Sequence, residues 1–218
     1  MKVYAEYFEK NGLTFRANTL LRFGDGWDLI GNAVLANPGS SKPMEKINVN
    51  DSIKVREFYS KYRLKSEFIK DRWYEFSCDP TMGFIEKIFN GFYVEKNKNL
   101  NGVIQLFNTF NIRNKDLPLA IEQADSNKDY PFLFSNGVEN YFYNKPTYFG
   151  FSNQVLENRI LRPVAENIFN NSSIEVRKIY RDNFDENSFY HPMYINRSYK
   201  KKGLDIYKNE ILLPLFSL

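Results

Sequence analysis

Two segments of this chain contain residue types that could take part in a reaction. Asn37 lies at the end of an apolar stretch and precedes a Pro-Gly-Ser-Ser run (38–41), and His191, the chain's one histidine, precedes Pro192. An asparagine amide and a neutral imidazole can position a nucleophile and stabilise a leaving group without a metal ion. We therefore take Asn37 and His191 as candidate catalytic residues.

Both residues also have an ordinary structural explanation. Asn, Pro and Gly are common turn residues, so residues 37–39 could simply end a strand. A lone histidine between Tyr190 and Tyr194 could be a buried group whose hydrogen bonds are satisfied by its surroundings. The residues alone leave both explanations open.

Three further polar residues follow predicted elements of the chain. Asp79, before Pro80, could cap a helix or could face a pocket as a carboxylate. Asn108 and Arg113 flank the end of a predicted strand, where they could bind a phosphate or a sugar. Arg113 could instead pair with Asp116 across the turn, and the sequence does not decide between these roles.

A basic run near the C-terminus adds a candidate surface. Residues 197–202 read RSYKKK, a pattern that is typical of a solvated face or tail. Because it lies just after His191 and includes Tyr199, it could also grip a phosphate backbone and stack a base. The candidate ligand-binding residues are Pro38, Gly39, Ser40, Asp79, Thr81, Asn108, Arg113, Tyr194 and Arg197.

Composition narrows the chemistry. A single cysteine, Cys78, excludes an internal disulfide, and one cysteine with one histidine cannot form the usual zinc ligand sets. A magnesium site built from carboxylates stays open, but we predict neither a metal site nor a cofactor. The net charge of +4 is a mild excess of basic residues, weaker than that of a dedicated DNA-coating protein.

The chain length predicts one domain. With 218 residues, 43% of them hydrophobic, the chain can form one well-packed core. We divide residues 1–218 into an N-terminal hairpin addition (1–27), a core (28–196) and a C-terminal extension (197–218), whose apolar residues should dock on the core. No apolar run reaches the roughly 20 residues of a membrane span, and the charged N-terminus lacks a secretory signal. We expect no membrane association and a cytoplasmic location.

Periodicity and turn residues predict the elements that must position the candidate residues. Residues 2–8 and 13–23 flank Asn11-Gly12, a hairpin turn signal. Strands are predicted at 28–36, 102–110, 146–152 and 174–180, helices at 54–69, 80–90 and 153–169, and a short helical segment at 117–124.

The alternation of strands with helices predicts the fold class. We expect a three-layer α/β/α sandwich with a mostly parallel central sheet, plus the N-terminal β-hairpin. In parallel sheets, ligands bind beyond the carboxyl ends of the strands. The loop that begins at Asn37 should emerge at that edge.

Four motifs in order resemble the bacterial and phage family known as domain of unknown function 1643. They are LANPGSSKP (35–43), DPT (79–81), QLFNTFNIRNKDL (105–117) and FYHPMYI (189–195). The resemblance spans residues 28–196. This chain has Gly39 where that family usually has serine, and Met193 where it usually has leucine.

A broader resemblance is to the uracil-DNA glycosylase superfamily, through Asn37-Pro38-Gly39 and His191-Pro192. It implies that Asn37 orients a water molecule toward a sugar carbon and that His191 hydrogen-bonds the departing base as negative charge develops on it. The second motif departs from the superfamily pattern, because Met193-Tyr194-Ile195 replaces the loop that presses on DNA. This departure argues against repair of duplex DNA.

Two hypotheses follow from these observations. The chain could be a glycosylase-like hydrolase that cleaves an N-glycosidic bond in a nucleotide or single-stranded nucleic acid. It could instead be a non-catalytic module that binds or sequesters the same ligand. The sequence predicts neither the base nor the oligomeric state.

Overall fold

An antiparallel hairpin begins the chain, as predicted. The computed structural model describes residues 1–62 and 68–217, with the side chain of residue 217 left aside. Strand β1 (Lys2–Lys10) pairs with β2 (Leu13–Phe23) around Asn11 and Gly12. Both turn residues have a positive φ, 51° and 74°, which is the backbone conformation that a two-residue hairpin turn needs. The hairpin is part of the main sheet, because β2 also pairs with a core strand.

Seven strands form one mixed sheet in the order β4-β5-β1-β2-β6-β3-β7. The remaining strands are β3 (Leu29–Leu35), β4 (Pro43–Lys46), β5 (Trp73–Phe76), β6 (Gly102–Asn108) and β7 (Thr147–Phe149). In the part of the chain that the structure describes, the β3-β6 and β3-β7 pairs are parallel, and the β1-β2, β1-β5, β2-β6 and β4-β5 pairs are antiparallel.

The α/β class is confirmed, but the prediction of a mostly parallel sheet is wrong. Apolar runs indicate that a strand is buried and do not give its direction. Here the hairpin occupies the middle of the sheet and contributes antiparallel pairs on both of its sides. The parallel part is confined to β6, β3 and β7, which include the strand before Asn37.

The helices in the described residues agree in part with the predictions. They are α1 (Val49–Tyr62), α2 (Pro80–Phe89), α3 (Leu117–Ser126), α4 (Asn153–Leu156), α5 (Leu161–Asn170), α6 (Ile174–Arg177), α7 (Pro192–Ser198), α8 (Asp205–Tyr207) and α9 (Leu213–Ser217). Helices α2 and α3 confirm the predictions at 80–90 and 117–124. The prediction at 54–69 includes residues 63–67, which lie outside the described residues.

Two element predictions are wrong. The predicted strand at 174–180 is α6 followed by a 3-10 turn, with Val176, Ile179 and Tyr180 buried at helical spacing. The predicted helix at 153–169 is interrupted between α4 and α5. There the Asn158 side chain accepts hydrogen bonds from the N–H groups of Ile160 and Leu161, which starts a new helix instead of continuing the first.

Helices pack on both faces of the sheet. Helix α1 shares a cluster of buried residues with Tyr4, Leu20 and Val103 on one face. On the other face, a Cβ atom on Gly31 of β3 would lie 2.3 Å from the ring of Phe89, the last residue of α2. Helix α2 therefore lies on the face opposite α1.

Helix α2 runs antiparallel to β3. Its last residue packs near the start of β3, as the Gly31 contact indicates, and its N-terminus lies near Gly39, just beyond the end of β3. The partial positive charge of a helix N-terminus therefore lies at the carboxyl ends of the parallel strands.

The chain's C-terminal segment docks on the core as predicted, since Ile211, Leu212 and Leu215 are buried in the main hydrophobic cluster. Among the described residues, no helix has the length and the apolar character that a membrane span would require.

Candidate functional site

The loop after β3 carries the first candidate catalytic residue. The Asn37 side chain is half-buried, and its Nδ2 donates a hydrogen bond of 2.9 Å to the backbone oxygen of Asn114. Pro38 is buried and Ser40 is exposed. Gly39 has a φ of 64°, a left-handed conformation that favours glycine over other residues. The contact with Asn114 fixes the amide and leaves its Oδ1 as an acceptor.

Arg113 holds this loop in place. Its Nε donates to the backbone oxygen of Ser41 at 2.6 Å, and its Nη2 donates to that of Ser40 at 3.2 Å. Asp116 instead caps α3 by accepting a hydrogen bond from the N–H of Leu119. Arg113 therefore binds the loop backbone, and the predicted pairing of Arg113 with Asp116 is not observed.

Asp79 is a helix cap, which is one of the two roles that the sequence left open. As the N-cap of α2, its Oδ1 accepts a hydrogen bond of 3.0 Å from the N–H of Met82. Its Oδ2 lies 3.9 Å from the position that a Cβ atom on Gly39 would take, so the carboxylate faces the loop. Thr81, in the first turn of α2, is half-buried.

His191 is the N-cap of α7. Its Nδ1 accepts a hydrogen bond of 3.3 Å from the N–H of Met193, so the ring proton of the neutral form is on Nε2. Burial lowers the pKa of His191, and the Asp79 carboxylate opposes part of this shift. At neutral pH the side chain is therefore an uncharged imidazole with an Nε2–H donor.

Asp79 connects the two candidate segments. Its carboxylate faces Gly39 on one side and is close enough to His191 to raise the pKa of the imidazole. At the other end of α7, Asn196 accepts hydrogen bonds from Lys87, at 3.4 Å, and from Tyr93, at 3.0 Å. Helices α2 and α7 therefore run in the same direction, with both N-termini near the loop after β3.

Sequence reasoning missed Arg16 and Thr19, because a β-bulge changes the alternation of β2. Tyr4 pairs with Leu20 and Glu6 with Ala17, so two residues of β2 oppose Ala5 alone. The extra residue brings Arg16 and Thr19 to the same face, opposite Leu20 and its α1 cluster. In a regular strand these two positions would point to opposite faces.

Arg16, Thr19 and Asn108 are buried polar residues with side-chain atoms that lack hydrogen-bond partners. Their exposed fractions are 2%, 0% and 1%, and the unpartnered atoms are Arg16 Nε and Nη1, Thr19 Oγ1, and Asn108 Nδ2 and Oδ1. Thr19 pairs with Leu106 on β6, two residues before Asn108, so the three residues lie on neighbouring strands. Buried polar groups in folded proteins almost always have partners, so these atoms mark a site that a ligand or water would complete.

Two predicted ligand-binding residues lie apart from this cluster. Tyr194 is 48% exposed and Arg197 is exposed, whereas Pro192, Ile195 and Ser198 form the buried side of α7. Tyr194 packs on Tyr190, with ring centroids 4.6 Å apart. Both predicted residues are therefore on the solvent side of α7.

A separate cavity of about 330 Å³ lies beside β1 and the loop before the 3-10 turn at 138–141. Its lining includes Phe8, Arg72, Asn111, Phe132 and Ser135. In the part of the chain that the structure describes, no group of three or more His, Cys, Asp or Glu side chains could hold a metal ion.

The lowered pKa of His191 predicts a pH dependence of stability. The unfolded histidine takes up a proton near its ordinary pKa of about 6.5, whereas the folded imidazole does so at lower pH. We therefore expect the free energy of unfolding to fall as the pH drops below about 6.5. His191→Asn keeps an N-cap acceptor and removes the titrating imidazole. Measured by urea unfolding between about pH 5 and 8, the free energy of unfolding of this variant should therefore fall less at low pH than that of the native chain. An equal decrease in the free energy of unfolding of the native chain and of His191→Asn would show that His191 does not cause the pH dependence.

Comparison of the chain with protein-family models, with curated proteins and with solved structures finds no match. The resemblances to the domain of unknown function 1643 family and to the uracil-DNA glycosylase superfamily therefore stay predictions.

Proposed function

We propose that this protein binds a nucleotide or a short single-stranded nucleic acid at the carboxyl ends of β3 and β6, and that it hydrolyses the N-glycosidic bond of that ligand. The observation that carries the proposal is the position of Asp79. Its carboxylate faces the Gly39 loop, and its charge opposes part of the lowering of the His191 pKa. Both observations support a site at the N-terminus of α2, to which the loop after β3 and His191 would each contribute.

Each residue has a role in the proposed reaction. Asn37 accepts a hydrogen bond from the attacking water through Oδ1, since Nδ2 is bound to Asn114. The water oxygen bonds to the anomeric carbon, its proton passes to the Asp79 carboxylate, and the bond from carbon to base nitrogen breaks. The electron pair leaves with the base. The Nε2–H of His191 donates to the base as it becomes negative, and the released base then takes a proton from solvent.

A neutral imidazole suits this role. A charged imidazolium would transfer its proton early and would be costly to bury, whereas an uncharged donor can stabilise the departing anion through a hydrogen bond. The burial that lowers the pKa of His191 supports this assignment. The N-terminus of α2 adds a partial positive charge on the same side.

One observation favours the alternative of a binding module. Asn37 and His191 both make hydrogen bonds with structural roles, one to the Asn114 backbone and one as a helix cap. Such contacts would serve equally well to shape a pocket that only holds a ligand.

The test is an assay of base release with a parallel binding measurement. The native chain is incubated with nucleosides, nucleoside 5′-monophosphates and single-stranded oligonucleotides that carry each of the common bases, and free base is measured by chromatography. We expect release from at least one phosphate-bearing substrate. Calorimetric binding without release would assign the binding module instead, and a chain that neither binds nor cleaves any member of the panel would overturn both functions.

A further inference from the structure

We propose that Arg16, with Thr19 and Asn108, forms a buried subsite for the phosphate group of the ligand. None of the roles in the proposed reaction uses Arg16 or Thr19. The inference rests on the proposed function for the identity of the ligand as a nucleotide, but the existence of an anion site follows from the residues themselves.

The first argument is the burial of a cation whose hydrogen-bond donors are not all satisfied. Arg16 is 2% exposed, and two of its three guanidinium nitrogens have no hydrogen-bond partner. Burial lowers the pKa of Arg16 to about 10, so the side chain keeps its charge at neutral pH. The guanidinium lies over the ring of Phe76, with its Cζ 5.5 Å from the ring centroid, and an anion that binds beside it would reduce the remaining cost of burying the charge.

The second argument is the balance of charge around Arg16. Arg113 lowers the pKa of Arg16 by repulsion and Asp79 raises it by attraction, so all three groups lie within electrostatic reach of one another. Two positive groups and one negative group leave a net positive charge, which favours an anion such as a phosphate group. Asp79 also accepts a hydrogen bond from the N–H of Met82 as the cap of α2, so its charge does not serve Arg16 alone.

The third argument is the set of neighbouring donors. The Asn108 amide and the Thr19 hydroxyl are buried on the neighbouring strands β6 and β2, and both are unpartnered. A phosphate group accepts several hydrogen bonds, and arginine is well suited to bind it. Because of the β-bulge, Thr19 and Arg16 both face the side of the sheet that carries α2, opposite Leu20.

Access to the subsite depends on the loop at 37–41. Arg16 is almost completely buried, so a neighbouring segment must move aside before a phosphate can reach it, and we assign this role to the loop at 37–41. Arg113 holds the loop through the backbone oxygens of Ser40 and Ser41. In the proposed site, opening of this loop beside Asp79 would let the ligand enter.

The test measures thermal unfolding in inorganic phosphate, in a nucleoside and in the matching 5′-monophosphate, at constant ionic strength. We expect phosphate to raise the Tm of the native chain and the 5′-monophosphate to raise it further than the nucleoside does. Arg16→Met should have an unliganded Tm equal to or above that of the native chain, with no response to phosphate. Arg159→Met changes an arginine side chain that is 87% exposed, and it should respond like the native chain.

Several outcomes would overturn the inference. A phosphate response of Arg16→Met equal to that of the native chain would remove Arg16 from the site. If the native chain binds nucleosides or releases base but its Tm does not change in phosphate, the phosphate subsite would be disproved and the proposed function would be unaffected. A response to inorganic phosphate with no further gain from the nucleotide would contradict the assignment to a nucleotide. Should Arg16→Met fail to fold, Arg16→Lys is compared instead, and an undiminished phosphate response there would contradict the role of the guanidinium.

Discussion

Asn37→Ala and His191→Asn should each lower kcat for base release by about 10²- to 10³-fold. The first substitution removes the acceptor that orients water, and the second removes the donor that stabilises the departing base, a type of contact for which losses of this size are typical. His191→Asn keeps the helix cap, so its loss of activity cannot be attributed to loss of the cap.

The measurement is steady-state base release with the best substrate of the panel, together with the free energy of unfolding of each variant. The matched control is Arg159→Met, whose exposed side chain lies in an ion pair with Asp125, away from the proposed chemistry. Its kcat should equal that of the native chain. Full activity in both Asn37→Ala and His191→Asn would show that base release does not take place at the proposed site.

Phe149→Ala should reduce the free energy of unfolding by about 3 to 5 kcal/mol. Phe149, on the edge strand β7, is completely buried. Its ring centroid lies 5.2 Å from that of Tyr180, 5.3 Å from that of Phe169 and 5.7 Å from that of Phe151. Removal of the ring would leave a cavity among side chains that hold α5 and α6 against the sheet.

Chemical denaturation of Phe149→Ala beside the native chain checks this value. The matched control is Ile206→Ala, because Ile206 is 69% exposed and its truncation should change the free energy of unfolding by less than about 0.5 kcal/mol. A loss below about 1 kcal/mol for Phe149→Ala would mean that this aromatic cluster does not carry the stability of the β7 edge.

The parts of the fold that depend on local chemistry could be predicted from the sequence. Asn11-Gly12 predicts its hairpin because both residues accept a positive φ. Asp79 followed by Pro80 predicts the start of α2, since the carboxylate accepts from Met82 and proline needs no N–H partner there. In both cases the deciding contacts lie within a few residues of one another.

The direction of the strands and the surroundings of Arg16 could not be predicted in this way. Pairing of β2 with β6 joins residues far apart in the chain, and no local pattern specifies whether such a pair is parallel or antiparallel. Arg16 looks like an outward-facing residue of an alternating strand until the bulge beside Ala17 is known. Sequence reasoning proposed Asn37 and His191 as candidates, and it did not propose the buried Arg16.

The central claim is that ligand binds where the loop after β3, the N-terminus of α2 and His191 meet. The most direct measurement is a titration of the ¹⁵N-labelled chain with a nucleoside 5′-monophosphate, followed by amide chemical shifts. We predict that the largest changes occur at Gly39, Ser40, Thr81 and Met193. Changes confined to residues around the separate cavity, such as Phe8 and Ser135, with none at those four amides, would contradict the account.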